Sequence, residues 1–281
     1  MSLGVLGPLS VLSNSVNKTP SARKPRNVLA MLLVHADQVV PVSSLISELW
    51  EDDPPVSSLT TLQTYILNLR KLFVAATHRP APEITKEVLV TRVGGYMFRS
   101  ETSVLDVREY DKLVLAGWSA LADGDDLTGM TRLTEALRLW RGAALVDVSL
   151  GRVLESKRRE LEESRLMVTE YLVGAKLRLG MYREVLTELA ALTAENPLHE
   201  GLQAQYMRAL HLGGRRAQAL EVFHRLRRNL IDELGLEPES QVQRAYQAIL
   251  NSDTEFDQEL HLVRPLAGSL SSSGWGRIRT N

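Results

Sequence analysis

The sequence predicts a mostly α-helical protein with a small β component, in which a mixed N-terminal part precedes an all-helical one. Three observations predict this fold class. In the first hundred residues, short strand-like runs alternate with three stretches of helical spacing. From residue 105 to residue 250, most apolar stretches have the 3.6-residue period of amphipathic helices. Two segments of this second part also match at an offset of 34 residues.

The length and composition favour a two-domain intracellular protein. A chain of 281 residues can bury two hydrophobic cores, and it has no cysteine for disulfides or thiolate chemistry. It shows neither a signal peptide nor the roughly 20 consecutive apolar residues of a membrane helix. We therefore expect domains at 1–100 and 101–250, a disordered tail at 251–281, a cytoplasmic location and no membrane partner.

The first forty residues predict a strand pair and a helix. Residues 3–12 are short and apolar but are interrupted by Gly7 and Pro8, which favours two strands joined by a tight bend. Residues 26–35 have apolar side chains at helical spacing and follow Pro25, which suits a first helical turn.

Two further helices are predicted before residue 75. After an extended crossover at residues 39–40, one of the serines at 43–44 is expected to cap the second helix, which ends at the turn 52–55. One of the serines at 57–58 is expected to cap a third helix that runs to about Phe73.

The third helix has two unlike faces. At 3.6 residues per turn, one stripe is apolar and must face the core; it contains Leu59, Leu62, Ile66, Leu69 and Phe73. The opposite face and its flanks carry hydroxyl, amide and cationic groups, which bond phosphate oxygens and base edges. These candidate DNA-binding residues are Thr60, Thr61, Gln63, Thr64, Tyr65, Leu67, Asn68, Arg70 and Lys71. Leu67 could contact a thymine methyl, although a solvated helix face is an alternative interpretation of the pattern.

The segment that follows favours the DNA-binding interpretation. Residues 87–99 contain two runs rich in Val, Tyr and Phe around Gly94 and Gly95, which predicts a β-hairpin. A hairpin directly after the third helix is the wing of a winged helix-turn-helix. We expect Arg92 to lie near a minor groove or the phosphate backbone.

The charge distribution is consistent with this interface. The net charge of the chain is -1, but residues 1–100 contain ten Lys or Arg against seven Asp or Glu, a net charge of +3. No acidic residue lies between Asp53 and Glu83, whereas Arg70, Lys71 and Arg79 do. Such a stretch favours a phosphate-facing surface.

These elements resemble the OmpR-type winged helix and, more narrowly, the Streptomyces antibiotic regulatory protein family. The matching motifs are VLGPL at 5–9, the helix at 45–50 followed by DPP at 53–55, LQTY at 62–65 leading to LRKL at 69–72, TR at 91–92 and GY at 95–96. The chain departs from the family at Leu67, where a small polar or basic residue is usual, and at Asn68, where an arginine is usual.

The all-helical part resembles the bacterial transcriptional activation domain of the same family. Gly180 aligns with Gly214 and Leu189 with Phe223, at the period of tetratricopeptide helix pairs. The motifs that carry the resemblance are Asp106 and Tyr110 in LDVREYDKL, ALRLWRG at 136–142, NPLHE at 196–200 and DELGLEP at 232–238.

The resemblance implies a sequence-specific transcriptional activator. The third helix would enter the major groove of double-stranded promoter DNA, and the hairpin would touch the adjacent minor groove. The implied binding sites are direct repeats near the −35 element, occupied by a head-to-tail dimer on the nucleoid. The other implied partner is RNA polymerase holoenzyme, including its sigma factor, and the implied targets are genes of antibiotic or other secondary-metabolite biosynthesis.

No enzyme motif is recognisable in the sequence. It lacks a P-loop, a GxSxG elbow, a GxGxxG turn and kinase motifs, so we predict no catalytic residue, no cofactor and no metal site. His35 and His224 lack ligand spacing, and Trp118 and Trp140 are expected to pack in helices.

Two alternatives stay open. The substitutions at Leu67 and Asn68 allow a helical-repeat adaptor whose winged helix no longer binds DNA. The charged run at 155–165 contains i,i+4 pairs such as Glu155 with Arg159, which is typical of a solvated helix but also suits a partner-binding surface.

Overall fold

The computed structural model describes residues 1–251, which form two compact units. Unit one comprises Met1–Leu113 and Glu135–Leu166, and unit two comprises Val114–Thr134 and the chain from Met167 onward. Residues 135–166 therefore pack with the N-terminal part, although the sequence placed them in the helical domain. The domain boundary near residue 100 stays a prediction. Beyond Asn251, the predicted tail lies outside the described residues.

Unit one contains seven short strands. They are β1 Ser2–Gly4, β2 Ser10–Ser13, β3 Val16–Asn17, β4 Val40–Pro41, β5 Leu89–Arg92, β6 Gly95–Phe98 and β7 Val104–Leu105. One sheet has the order β3-β2-β1-β7 and the other has the order β4-β6-β5. In the first sheet, Leu3 is antiparallel to Val11 and parallel to Leu105. This confirms the predicted strand pair and adds β3 and β7, whose two residues are too few for a periodic pattern.

The helices of the winged-helix part follow the predicted order. They are α1 Arg23–Val34, α2 Val42–Trp50, α3 Ser58–Thr77 and α4 Ala81–Glu83, the last continuing into a π-helical turn at Ile84–Val88. Helix α1 contacts α2, α3 and β6, and most of its apolar side chains are fully buried. Removing these apolar side chains from water makes the main favourable contribution to the free energy of packing α1 against α2 and α3.

Three predicted details of these helices were wrong. Helix α2 starts at Val42, because Pro41 is extended, so the serines at 43–44 lie inside its first turn and cap nothing. Ser57, one of the two predicted serines, is the N-cap residue of α3, but its side chain does not make the expected capping hydrogen bond. Helix α3 also continues past Phe73 to Thr77, because Ala76 is buried and extends the apolar stripe by one turn.

Three longer helices contribute residues to both units. They are α5 Asp106–Ala122, α6 Asp126–Leu137 and α7 Arg152–Arg178. Within unit one, Tyr110 of α5 shares a hydrogen bond of 3.0 Å with Ser164 of α7. The ring of Trp140 meets the Tyr110 ring edge to face at 5.7 Å, which agrees with the predicted packing role of this tryptophan.

Asp106 and Arg141 hold the segment between β1 and β2. The Asp106 carboxylate accepts hydrogen bonds from the main-chain N–H groups of Val5 at 2.9 Å and Leu6 at 3.1 Å. Arg141 donates to Asp106 at 3.2 Å and to the carbonyl oxygen of Pro8 at 3.0 Å. Burial raises the pKa of Asp106 above its usual value, although these hydrogen bonds oppose the shift. These contacts explain why residues near 141 belong to unit one.

A buried carboxylate ties α2 to the start of α7. Glu48 is 4% exposed and accepts hydrogen bonds from the main-chain N–H groups of Gly151 at 2.6 Å, Val153 at 2.9 Å and Leu154 at 3.3 Å. The first N–H groups of a helix have no partner within the helix, and the helix dipole favours a negative charge there. Glu48 therefore supplies the cap of α7 from a distant part of the chain.

Unit two contains the repeated helix pairs. Its remaining helices are α8 Tyr182–Glu195, α9 Glu200–Leu212, α10 Arg216–Leu234 and α11 Ser240–Asn251. Gly180 and Gly214 precede the first helix of each pair with φ angles of 78° and 74°, which side-chain-bearing residues rarely adopt. Leu189 and Phe223 occupy equivalent buried positions. The offset of 34 residues therefore corresponds to a tetratricopeptide-like repeat of helix pairs.

Several smaller predictions can also be compared with the structure. Glu155 and Arg159 form the expected ion pair at 3.1 Å, and Trp118 packs edge-on against Tyr171 at 6.0 Å.

Among residues 1–251, no three acidic or histidine side chains converge as possible metal ligands. No helix in this part of the chain has the length and apolar character that a membrane span requires.

We predict that Asp106→Ala lowers the free energy of unfolding by about 3 kcal/mol, because it leaves buried N–H groups without an acceptor. Urea denaturation of the full chain measures this change. Asp123→Ala is the matched control, since Asp123 is exposed and its loss should cost less than about 0.5 kcal/mol. Equal stability of the two variants would contradict the assigned role of Asp106.

Candidate nucleic-acid interface

The buried stripe of α3 fixes the rotation of this helix about its axis. Leu62, Ile66, Leu69 and Phe73 are almost completely buried. The Phe73 ring lies 5.6 Å from the ring of Phe98 in β6, so the helix is packed against the hairpin as well as the core. The opposite side of α3 must therefore face away from the core.

Leu59 does not belong to this stripe. The sequence predicted that it faces the core, but its side chain is 47% exposed. Because α3 starts at Ser58, Leu59 lies in the first turn, and the described residues do not enclose it. Helical spacing alone does not show where the neighbouring elements end.

The polar face of α3 points outward, as predicted. Its exposed members are Thr60, Gln63, Thr64, Leu67, Asn68 and Lys71, and the half-buried ones on its flanks are Thr61, Tyr65 and Arg70. Thr64 donates its hydroxyl proton to the carbonyl oxygen of Thr60 at 3.0 Å, which leaves the hydroxyl oxygen available as an acceptor. The face therefore offers hydroxyl, amide and ammonium groups and one apolar side chain.

Arg70 is one of the predicted DNA-binding residues, and the structure shows it hydrogen-bonded within the chain; its contact with DNA stays a prediction. Its Nε and Nη2 donate to the carbonyl oxygen of Leu89 at 3.1 and 3.0 Å, and Nη2 also donates to Thr91 Oγ1 at 2.7 Å. Both partners are in β5. Burial lowers the pKa of this guanidinium below its ordinary value. The structure thus shows Arg70 as a link between α3 and the hairpin.

The hairpin forms where it was predicted. Strands β5 and β6 pair in the register Leu89 with Phe98 and Arg92 with Gly95, so Val93 and Gly94 make the turn. The pairing of β6 with β4 requires a glycine at position 95, because a Cβ atom there would lie 2.2 Å from the carbonyl oxygen of Val40 in β4. The close approach of β4 fixes the hairpin against the start of α2.

The turn presents one cation and one apolar side chain. Arg92 is exposed at the end of β5, and Val93 is fully exposed at the tip. Sequence reasoning did not select Val93, because an isolated valine in a β-rich run usually predicts burial. Only the register of the hairpin shows that it occupies the turn.

Intramolecular ion pairs separate the basic residues into two groups. Arg79 bonds Glu83 at 2.9 Å and also Glu87, so its charge is compensated within the chain. Across residues 1–251, by contrast, neither Lys71 nor Arg92 has a carboxylate within ion-pair distance. Arg70 of α3 also lacks a carboxylate partner, but it is half-buried and bonds neutral oxygen atoms of β5. Lys71 and Arg92 are exposed as well as unpaired among the described residues, and we refer to these two side chains as the uncompensated cations.

Two family models match the chain. The Transcriptional regulatory protein, C terminal family matches residues 17–98, which include α1 to α3 and the hairpin. The Bacterial transcriptional activator domain matches residues 105–250, which run from the end of β7 to α11.

The relatives are bacterial regulators. The chain is 44% identical over 258 residues to Regulatory protein DnrI of Streptomyces peucetius, a match that covers 92% of this chain and 95% of DnrI. It is 32% identical to Transcriptional regulator RedD of Streptomyces coelicolor, covering 89% of this chain and 71% of RedD. Regulatory protein AfsR of Streptomyces griseus is 35% identical, but this chain spans only 24% of its length.

A solved structure supports the architecture. It is Mycobacterium tuberculosis EmbR in complex with a low affinity phosphopeptide, with a TM-score of 0.86 and 30% sequence identity. The match covers 96% of this chain and 69% of the EmbR chain. An N-terminal winged helix followed by a helical domain is therefore the fold of this protein.

We predict that Arg70→Met makes the amides of residues 89–98 exchange with deuterium about tenfold faster, because β5 loses its hydrogen bonds to α3. Hydrogen exchange followed by mass spectrometry measures this rate. Lys71→Met is the matched control, since the neighbouring Lys71 is exposed, and it should leave the exchange unchanged. Equally slow exchange in Arg70→Met would show that Arg70 does not hold the hairpin.

Proposed function

The chain belongs to the Streptomyces antibiotic regulatory protein family of transcriptional activators, and we propose that it binds promoter DNA specifically through α3 and the hairpin. The observation that carries this proposal is the orientation of α3. Its apolar stripe is buried, while its polar face, which includes Thr64 and Lys71, is exposed. The major groove of B-form DNA is wide enough to admit an α-helix, so the exposed face of α3 can enter it.

In the proposed complex, the exposed side chains of α3 read base edges. The amides of Gln63 and Asn68 can form paired hydrogen bonds with adenine, and Thr64 Oγ1 can accept from an exocyclic amino group. Leu67 is 51% exposed and supplies an apolar contact for a thymine methyl. The family usually has more polar or cationic residues at positions 67 and 68, so the preferred base sequence should differ here.

The phosphate contacts are assigned to the uncompensated cations. Lys71 lies at the exposed face of α3 and Arg92 at the end of β5, so the two side chains can neutralise phosphates beside the major groove and at the adjacent minor groove. Arg70 acts as a positioning residue, because its donors bond β5. Thr60, Thr61 and Tyr65 complete the proposed contact surface.

The wider assembly follows from the family. We propose that residues 1–100 bind direct repeats near the −35 element as a head-to-tail dimer. Residues 101–250 would then present surfaces to RNA polymerase holoenzyme, including its sigma factor. The target genes are proposed to be antibiotic or other secondary-metabolite genes, and the protein would act at the nucleoid in the cytoplasm.

Affinity measured against salt concentration tests the DNA interface. We predict that Lys71→Ala and Arg92→Ala weaken binding to all duplexes and each reduce the slope of log affinity against log salt by about 0.9, because each removes one phosphate contact. Thr64→Ala and Asn68→Ala should keep the slope and change the preferred bases instead. Fluorescence anisotropy with labelled duplexes gives both quantities.

Lys112→Ala is the control for this series, because Lys112 is an exposed cation of α5 outside the proposed interface. It should bind with the affinity and salt slope of the parent. If all four interface variants behave like the parent, the docking face is wrong. If the parent shows no duplex binding above background, the protein is instead an adaptor that works through its helical repeats.

The head-to-tail arrangement has its own test. Two protomers on one face of the duplex need half-sites about one helical turn, or roughly 10 base pairs, apart. We predict that moving the repeats apart by half a turn abolishes cooperative binding, whereas a full-turn insertion retains more of it. Footprinting titrations measure the cooperativity, and a cooperativity independent of spacing would exclude this arrangement.

A further inference from the structure

The tip of the hairpin carries an apolar side chain that the proposed DNA contacts do not use. Val93 is fully exposed there, although valine side chains are usually buried. It directly follows Arg92 and precedes Gly94, where an added Cβ atom would meet no atom of the described residues within 4 Å. The described part of the chain therefore leaves the space beside the tip open to an approaching duplex.

Hydrogen bonds from two helices hold this tip in place. The N–H of Val42, the first residue of α2, donates to the carbonyl oxygen of Gly94 at 3.0 Å. On the other strand, Arg70 of α3 donates to oxygen atoms of β5. Gly94 has a φ angle of 78°, a conformation that glycine adopts readily in tight turns. Val93 is thus presented by a turn that is bonded to α2 and by a strand that is bonded to α3.

The charges around the tip favour the approach of a nucleic acid. Arg92 is the only charged residue in β5, β6 and the turn between them. The acidic residues on either side of the hairpin, Glu87 and Glu101, are each paired with an arginine. The tip therefore combines one uncompensated cation with one apolar side chain, and the hairpin itself carries no carboxylate that would repel phosphates.

The floor of the minor groove differs between base pairs by one group. Both orientations of an A·T pair present only acceptors, whereas a G·C pair adds the 2-amino group of guanine, which is a donor. A valine side chain has no acceptor, so covering this amino group leaves a buried donor without a partner. An A·T pair contains no such donor and can be covered without this cost.

Building on the proposed DNA interface, we propose that Val93 is a specificity-determining residue. Its methyl groups lie against the floor of the minor groove, beside the phosphate contact of Arg92, and they disfavour a guanine 2-amino group at the base pair that they cover. The protein therefore selects A·T at this position of its site. This selection is separate from the bases that α3 contacts in the major groove.

Base analogues test this assignment in a promoter duplex that the parent protects in footprinting. Replacing guanine by inosine removes the 2-amino group and keeps the major-groove edge, and replacing adenine by 2,6-diaminopurine adds the amino group. We expect one base pair, or two adjacent ones, at which the form without the amino group binds about fivefold more tightly. Fluorescence anisotropy with singly substituted duplexes measures these affinities.

Substitution of the valine connects the preference to its side chain. Val93→Ser introduces a hydroxyl oxygen that can accept from the amino group, so the preference at that base pair should fall below about twofold. The salt slope should stay the same, because no phosphate contact is lost, whereas Arg92→Ala lowers it. Val16→Ser is the matched control, since Val16 is an exposed valine of β3 in the other sheet, and it should keep the preference of the parent.

The possible outcomes separate this inference from the proposed function. If the parent binds DNA but the 2-amino group has no effect at any base pair, the assignment of Val93 is overturned and DNA binding stands. A preference that persists in Val93→Ser, or that is lost in Val16→Ser, overturns it as well. If the parent binds no duplex, the proposed function itself fails. Thermal melting checks the fold, and Val93→Ser should melt with the parent because the side chain is fully exposed.

Discussion

The candidate interface depends on the burial of one apolar stripe. Leu62, Ile66 and Leu69 face the core, and Phe73 packs against Phe98 of the hairpin. Turning α3 about its axis would expose these side chains to water, at a cost of roughly 1.5 to 3 kcal/mol for each. The hydrophobic effect therefore decides which side chains of α3 face solvent.

Intramolecular bonding then selects which basic side chains remain available on that face. Arg70 is adjacent to Lys71 in sequence and has the same charge, but Arg70 bonds β5 while Lys71 is exposed. Arg79 is similarly engaged with Glu83 and Glu87. Counting charges along the sequence therefore overestimates the number of basic side chains that are both exposed and unbonded. The proposed interface contains fewer such cations than the charge count suggests.

The motifs of the helical part have a structural role in unit one. Asp106 and Arg141 bond the segment between β1 and β2, and Glu48 of α2 caps the start of α7. These buried or half-buried groups connect residues that are about a hundred positions apart. The winged helix and residues 135–166 therefore form one compact unit, and a truncation after residue 100 would remove the acceptor of the Val5 and Leu6 N–H groups.

The sequence by itself determined the elements whose signals are local. The strand pair at 3–12, the three helices, the hairpin and the offset of 34 residues all follow from periodicities that span a few residues or one repeat. Only the tertiary structure decided the exposure of Leu59 and the bonding of Arg70 to β5. These features depend on which distant segments come together, as Val5 and Asp106 do across 101 positions, and such pairing leaves no periodic pattern in the chain.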